Sequence, residues 1–176
     1  LETGYALKDN KGILKPSSDG LVPYGVPDEN GEDFRTQGGD LLGESGTEEA
    51  LTEARSLLEE SSYASTAVPR FVYEDTEENA AMADALWKTW MKGLKVRLER
   101  VPLSNDELRE ALQTGDYDIA LMDLRGNALD AESFLDLWRG DSPENAAGYE
   151  NGAYDTLLKV IRSASDEKAR QGCLHD

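Results

Sequence analysis

The chain is poor in the residues from which most catalytic and metal centres are built. Cysteine occurs once, at Cys173, and histidine once, at His175. A single thiol excludes an internal disulfide and any metal site made of several cysteines. With one histidine there is no Ser–His, Cys–His or multi-histidine set for nucleophilic or zinc chemistry. His175 lies at the extreme C-terminus, where nothing orients its ring. Positive charge is scarce too: 18 Lys and Arg stand against 36 Asp and Glu, a net charge of −18. A nucleic-acid or anionic-membrane surface needs clustered Lys and Arg, so both partner classes are argued against. No apolar run approaches the length needed to span a bilayer, and the mean hydropathy is −0.60.

What is present reads as one domain, or one lobe of something larger, in 176 residues. The chain opens Leu1-Glu2-Thr3-Gly4, without a Met or a secretion signal, and ends inside a predicted helix near Asp166. It is therefore expected to be a piece of a longer protein, so missing targeting signals say nothing of compartment. Residues 1–46 hold nine of the sixteen glycines and three of the six prolines. Such density predicts an irregular, extended segment with a short strand near Gly4–Leu7, packed on the rest because Leu21, Val22, Tyr24 and Val26 need burial. Residues 47–176 are expected to form a single α/β domain. The acidic run Asp28 to Asp33 hints at calcium but lacks the ligand spacing and distal Glu of an EF-hand loop.

From Thr47 onward the pattern is regular. A helix is predicted to Ser61, capped by Ser45 or Thr47, with Leu51, Ala54, Leu57 and Leu58 on one face. Arg70–Glu74 reads as a first strand. Asp75 and Glu78 have capping spacing for a helix that carries Met82, Leu86, Trp87 and Trp90 and stops at Gly93. Leu94, Val96 and Leu98 alternate with charged residues, which predicts a second strand there. Ser104 and Glu107 form a capping box for a helix over Asn105–Gln113, ended by Gly115. Tyr117–Asp123 is predicted as a third strand, its apolar run suited to burial on both faces. Asp130 is predicted to cap a short helix with Phe134, Leu135 and Trp138. Tyr154, Leu157, Leu158 and Ile161 give a later helical face.

This is a βαβαβ core. In the strand order 2-1-3 the ligand crevice falls at the carboxyl ends of the first and third strands. Those ends are Tyr73-Glu74-Asp75-Thr76 and Asp123-Leu124-Arg125-Gly126-Asn127. Carboxylates there suit an ammonium group, Arg125 suits a carboxylate, and Gly126 allows close approach of a ligand to backbone. The candidate contacts are Asp123, Arg125 and Asn127, with Tyr73 and Glu74 behind them. Asp75 and Asp130 also read as plain helix caps, and Asp123 and Asn127 as turn residues.

The order of these pieces resembles the second lobe of the family 5 extracellular solute-binding proteins, the oligopeptide- and dipeptide-binding proteins of ABC importers. The run Ala50 to Glu60 (ALTEARSLLEE) is similar to that family's helix before the lobe. Gly93 to Val96 (GLKV) resembles its "GI-x-V" step into a strand, and Gly115 to Ala120 (GDYDIA) its "G-x-(F/Y)-D" entry to the next. Asp130 to Leu135 (DAESFL) resembles "D-P-x-x-F-L", and Leu21 to Val26 (LVPYGV) an upstream "(L/V)-P-P-G" segment. Tyr154 to Leu158 and Asp166 to Arg170 are similar to its closing helices.

The resemblance implies a periplasmic-binding-protein-like lobe of an extracytoplasmic receptor, periplasmic or lipid-anchored. It would close on a peptide or other small solute together with a first lobe, and deliver it to permease subunits without catalysis, cofactor or metal. Three positions depart from the family pattern. Asn127 stands where many members pair an Asp with the peptide amino terminus, Ala131 where Pro is usual, and Leu124 where Trp is common. Because the family also takes nickel complexes and sugars, the ligand stays open. Two other readings of the residues are an acidic protein–protein interaction module and a hydrolase using paired carboxylates.

Overall fold

A computed structural model describes residues 20–38, 47–61 and 68–175. Its centre is a three-stranded parallel sheet: β1 (Arg70–Glu74), β2 (Glu99–Leu103) and β3 (Ile119–Leu121), in the order β2-β1-β3. This is the 2-1-3 order in which the carboxyl ends of β1 and β3 flank one crevice. Helix α3 (Glu77–Gly93) connects β1 to β2, and α4 (Asn105–Thr114) connects β2 to β3. Successive residues of β1 point to opposite faces. Phe71 and Tyr73 face a cluster that includes Ala83, Val96, Leu98, Leu86, Trp87 and Trp90, so the aromatic stripe of α3 is core. Val72, between them, is fully buried.

The second strand lies about five residues later than its alternation predicted. Val96 and Leu98 are buried as expected. However, Lys95 has φ 60, which breaks an extended chain there, and the pairing register runs from Arg70↔Glu99 to Glu74↔Leu103. The strand thus carries Pro102, acceptable because β2 is an edge. β3 is likewise shorter than predicted, three residues rather than seven, and only partly buried.

Capping explains most helix starts. At α4 the predicted box is complete: Ser104 Oγ accepts from Glu107 N, and Glu107 Oε2 accepts from Ser104 N at 2.9 Å. Gly115 closes that helix at φ 72, a conformation glycine adopts without strain. Helix α2 (Glu48–Glu60) is capped by Thr47, while Ser45 lies outside the described residues. Leu57, expected on its inner face, is 61% exposed, whereas Leu58 packs against the sheet cluster. For α3 the cap is Thr76, not Asp75: the Thr76 side chain accepts from Asn79 N, while Asp75 N is spent on Leu103 O. The helix stops at Gly93 as predicted, with Leu94 as its C-cap, and a Cβ at Gly93 would lie 2.9 Å from Leu51 of α2.

A second core forms from α5 (Ala131–Leu135), a 3-10 turn at Asp136–Trp138, α6 (Gly152–Ser163) and α7 (Glu167–His175). Leu158 and Ile161 of α6 are buried together with Val22, Val26 and Phe34. The Gly/Pro-rich stretch therefore contributes core residues. It also contains an unpredicted helical turn, α1 (Phe34–Gly38). Leu21 and Tyr24 stay exposed. The possible strand at Gly4–Leu7 lies outside the described residues. In the acidic run, the Asp28 carboxylate accepts from Asn30 N and Glu32 N, which closes a turn on itself. Burial works against its ionisation, but those hydrogen bonds with that from Gln37 outweigh it and lower its pKa.

Tyr154 ties α6 to α5 by donating to Leu135 O at 2.6 Å. Burial first, and then Tyr149 and the carboxylates of Asp136 and Asp155, push its pKa up to about 12. An unfolded tyrosine ionises near about 10, so this contribution to stability is complete below that pH and is lost as pH rises towards the folded value. The tyrosinate absorbance lost in Tyr154→Phe should therefore titrate near 12, above an ordinary tyrosine. A difference midpoint at the ordinary value would place the hydroxyl in water.

Candidate functional site at the carboxyl ends of the strands

β1 and β3 are parallel neighbours, with Tyr73 opposite Leu121. Their carboxyl ends therefore open on the same side. From β1 the chain passes through Asp75 to the Thr76 cap; from β3 it runs through Met122–Leu129 to the Asp130 cap of α5. Alternation continues past β3. Met122 and Leu124 turn into a cavity of about 200 Å3 that is also lined by Tyr117, Ala120, Leu137, Trp138, Glu144, Ala146 and Ala147. Asp123 and Arg125 are exposed instead. The Tyr117 hydroxyl donates to Ala146 O and fastens the loop after Pro143 over this cavity.

The loop carrying Asp123, Arg125 and Asn127 is held at several points. A Cβ at Gly126 would lie 2.5 Å from Ser133 Oγ and 2.8 Å from the Phe134 ring. Gly126 is thus required by the approach of α5, where the sequence suggests the approach of a ligand. Ser133 Oγ lies 2.7 Å from Ala128 O and 2.9 Å from Asp130 O. Asp130 accepts from Glu132 N at 2.8 Å, as a cap should. Among the described residues, the side chains of Asp123, Arg125 and Asn127 take part in no hydrogen bond or ion pair. They stand in water on an anchored loop.

The two residues expected on the β1 side are placed differently. Tyr73 is 6% exposed, and its ring packs at 5.7 Å from that of Phe71. Its alternation puts it under α3, so it belongs to the core and not to the crevice. Glu74 is half-buried and accepts a 3.4 Å hydrogen bond from Asn105 Nδ2 at the start of α4.

Sequence reasoning missed a charge network behind the loop. Arg170 of α7 reaches both oxygens of Asp130, at 3.1 and 3.2 Å, and Glu132 at 2.7 Å. Arg162 of α6 pairs with Glu132 at 2.9 Å and with Asp136. Arg139 pairs with Asp136 at 2.8 Å and with Asp141. The hydrogen bond to Glu132, more than offsetting desolvation, and then that to Asp130 raise the Arg170 pKa well above its ordinary value. The only signal in sequence was the cluster of acids at 130, 132 and 136. A wider polar hollow of about 530 Å3 lies beside Arg139, Asp141, Asp155 and Lys159. Its groups largely answer one another, Asp155 accepting from Gly140 N at 3.1 Å, and no predicted site residue lines it.

No family model matches the chain. Solved proteins do: the pheromone receptor PrgZ superposes with a TM-score of 0.77 and 23% identity over 98% of this chain and 34% of its own. An oligopeptide-binding protein OppA from Haemophilus influenzae, in complex with RPPGFSPFR, gives a TM-score of 0.67 and 22% identity over 72% of this chain and 26% of its own. The chain is a partial lobe of the periplasmic-binding-protein fold. In sequence, the lobe is 25% identical to the dipeptide-binding protein DppE of Bacillus subtilis over 175 residues, 97% of this chain and 31% of the relative. Periplasmic oligopeptide-binding protein OppA of Haemophilus influenzae is 30% identical over 126 residues, 67% of this chain and 23% of the relative. The lobe thus spans a third or less of these curated relatives. They are binding proteins, and the resemblance to the family 5 solute-binding proteins holds in both sequence and fold.

Proposed function

We propose that the lobe binds ligand in a solute-binding protein of an ABC importer, taking dipeptides or oligopeptides by closure against another lobe. The observation that carries this reading is the anchored loop at the carboxyl end of β3, which presents Asp123, Arg125 and Asn127 unpaired. An ammonium and a carboxylate are the two ends of a peptide, and these side chains suit both. The adjoining cavity of about 200 Å3 suits one apolar side chain. In this reading residues 47–176 form the lobe, and 1–46 an irregular segment packed on it, supported by Val22, Val26 and Phe34 in the second core. The names of the relatives support a place outside the cytoplasm, capture of a peptide over an acidic interaction module, and binding without catalysis. Permease subunits and the facing lobe are the proposed partners.

The test is calorimetric titration of the full-length protein that carries this segment, with RPPGFSPFR and a set of dipeptides. Asp123→Ala and Arg125→Ala should each weaken binding at least tenfold, since a hydrogen bond to a charged group contributes about 1.5–3 kcal/mol. Unmoved melting temperatures would show that the loss is local. Unchanged affinity in both variants would remove this loop from the site.

A further inference from the structure

We infer that Arg170, on a helix forty residues away in sequence, is a positioning residue that holds the ligand loop in its binding geometry. The inference rests on the peptide-binding reading above. Asp130 has two tasks at one point of the chain. It caps α5 by accepting from Glu132 N at 2.8 Å, and it ends the loop that begins at Asp123. Its two carboxylate oxygens are also gripped by Arg170 Nη2 at 3.1 and 3.2 Å, and the same nitrogen reaches Glu132 Oε2 at 2.7 Å.

One guanidinium therefore fixes the cap and the first turn of α5 together. The Arg170 side chain is only 16% exposed and that of Glu132 19%, so water screens this contact less than it would a pair on the open surface. The remaining anchors act on the same few residues. Gly126 rests against Ser133 and Phe134, and Ser133 holds Ala128 O. A shift of α5 would therefore carry Asp123–Leu129 with it. Without Arg170, Asp130 would lose its cationic partner while Glu132 kept Arg162 at 2.9 Å, so the cap end of α5, where the loop arrives, would be held less firmly than its far end, which Tyr154 ties to α6. Lysine keeps the charge but carries it on a flexible stem, without the planar guanidinium that fixes the direction of Nη2 towards both carboxylates.

The experiment measures RPPGFSPFR affinity and amide hydrogen exchange in the full-length protein carrying this segment, below the melting transition of every variant. Arg170→Gln should weaken binding about tenfold and speed exchange of the amides at 124–129. Arg170→Lys should recover part of both. Asp130→Asn should act like Arg170→Gln, and the double variant should be little worse than either. Arg70→Gln removes a more exposed ion pair away from this loop, to Asp116 near the amino end of β1, and should change neither readout. Wild-type affinity and wild-type exchange in folded Arg170→Gln would overturn the inference. If the unsubstituted protein does not bind peptide, the functional reading fails by itself. Exchange at 124–129 then still decides the positioning role: faster in Arg170→Gln upholds it, unchanged rejects it.

Discussion

Phe71→Ala should destabilise the fold by about 3–5 kcal/mol, the cost of emptying a large aromatic site that cannot collapse. The site is of that kind. Phe71 is 1% exposed and lies on the central strand, paired on one side with Arg100 and on the other with Ile119. Its ring touches the Tyr73 ring, and the cluster around it joins α3 to the sheet through Ala83, Val96 and Leu98. Neither neighbouring strand can close in without breaking its ladder with β1. Domains of ordinary stability hold only about 5–15 kcal/mol, so this one substitution removes a large share. Urea unfolding followed by tryptophan emission checks it: the midpoint should fall with the slope unchanged, and Phe71→Leu should recover most of the loss. A cost below about 1 kcal/mol would mean that this ring is not the centre of the core.

Gly126→Ala should weaken ligand binding more than it weakens the fold. The added methyl would sit 2.5 Å from Ser133 Oγ and 2.8 Å from two carbons of the Phe134 ring. Phe134 packs against the second core, so the ring gives way less readily than the exposed loop. Overpacking of this kind costs about 1–3 kcal/mol. Its geometric result is a loop lifted from α5, with Asp123 and Arg125 displaced together. Peptide affinity should therefore drop by a factor of ten or more, while the melting temperature falls by only a few degrees. Equal affinity in the alanine variant would show that the loop's contact with α5 does not set its binding geometry.

The sheet was legible in the sequence where one local signal had no rival. β1 was read with correct bounds because an apolar run is closed by Pro69 and by Asp75-Thr76. The α4 box was read because Ser104 and Glu107 need only each other. β2 was misplaced because two signals competed. Leu94, Val96 and Leu98 alternate and two of them are buried, but the backbone turn at Lys95 uses that stretch as an approach to the strand. The true strand contains a proline, which argues against a strand unless its edge position is known. The position of the 123–127 loop, directly after β3, was legible because an apolar run gives way there to polar residues and a glycine. Tyr73 was misassigned because alternation does not say which face α3 covers. The Arg170, Arg162 and Arg139 network was illegible: Arg170 and Asp130 are 40 residues apart, and only the packing of α7 brings them together.

Pro102 also decides how this sheet can grow. Glu99 donates its N–H to Pro69 O and Leu103 O accepts from Asp75 N, so the odd-numbered residues of β2 turn their backbone groups inward. Arg100 and Pro102 turn theirs outward by alternation, and Pro102 has no N–H to offer. A strand arriving at this edge would find a gap in the ladder, which discourages unwanted pairing between copies. On the other side Asp118 N faces inward to Arg70 O, so Ile119 and Leu121 direct theirs away from β1. Among the described residues no strand pairs with that edge. The sheet is thus one-sided: its ladder is interrupted at the β2 edge by Pro102, and is uninterrupted at the β3 edge, beside the loop that presents Asp123 and Arg125.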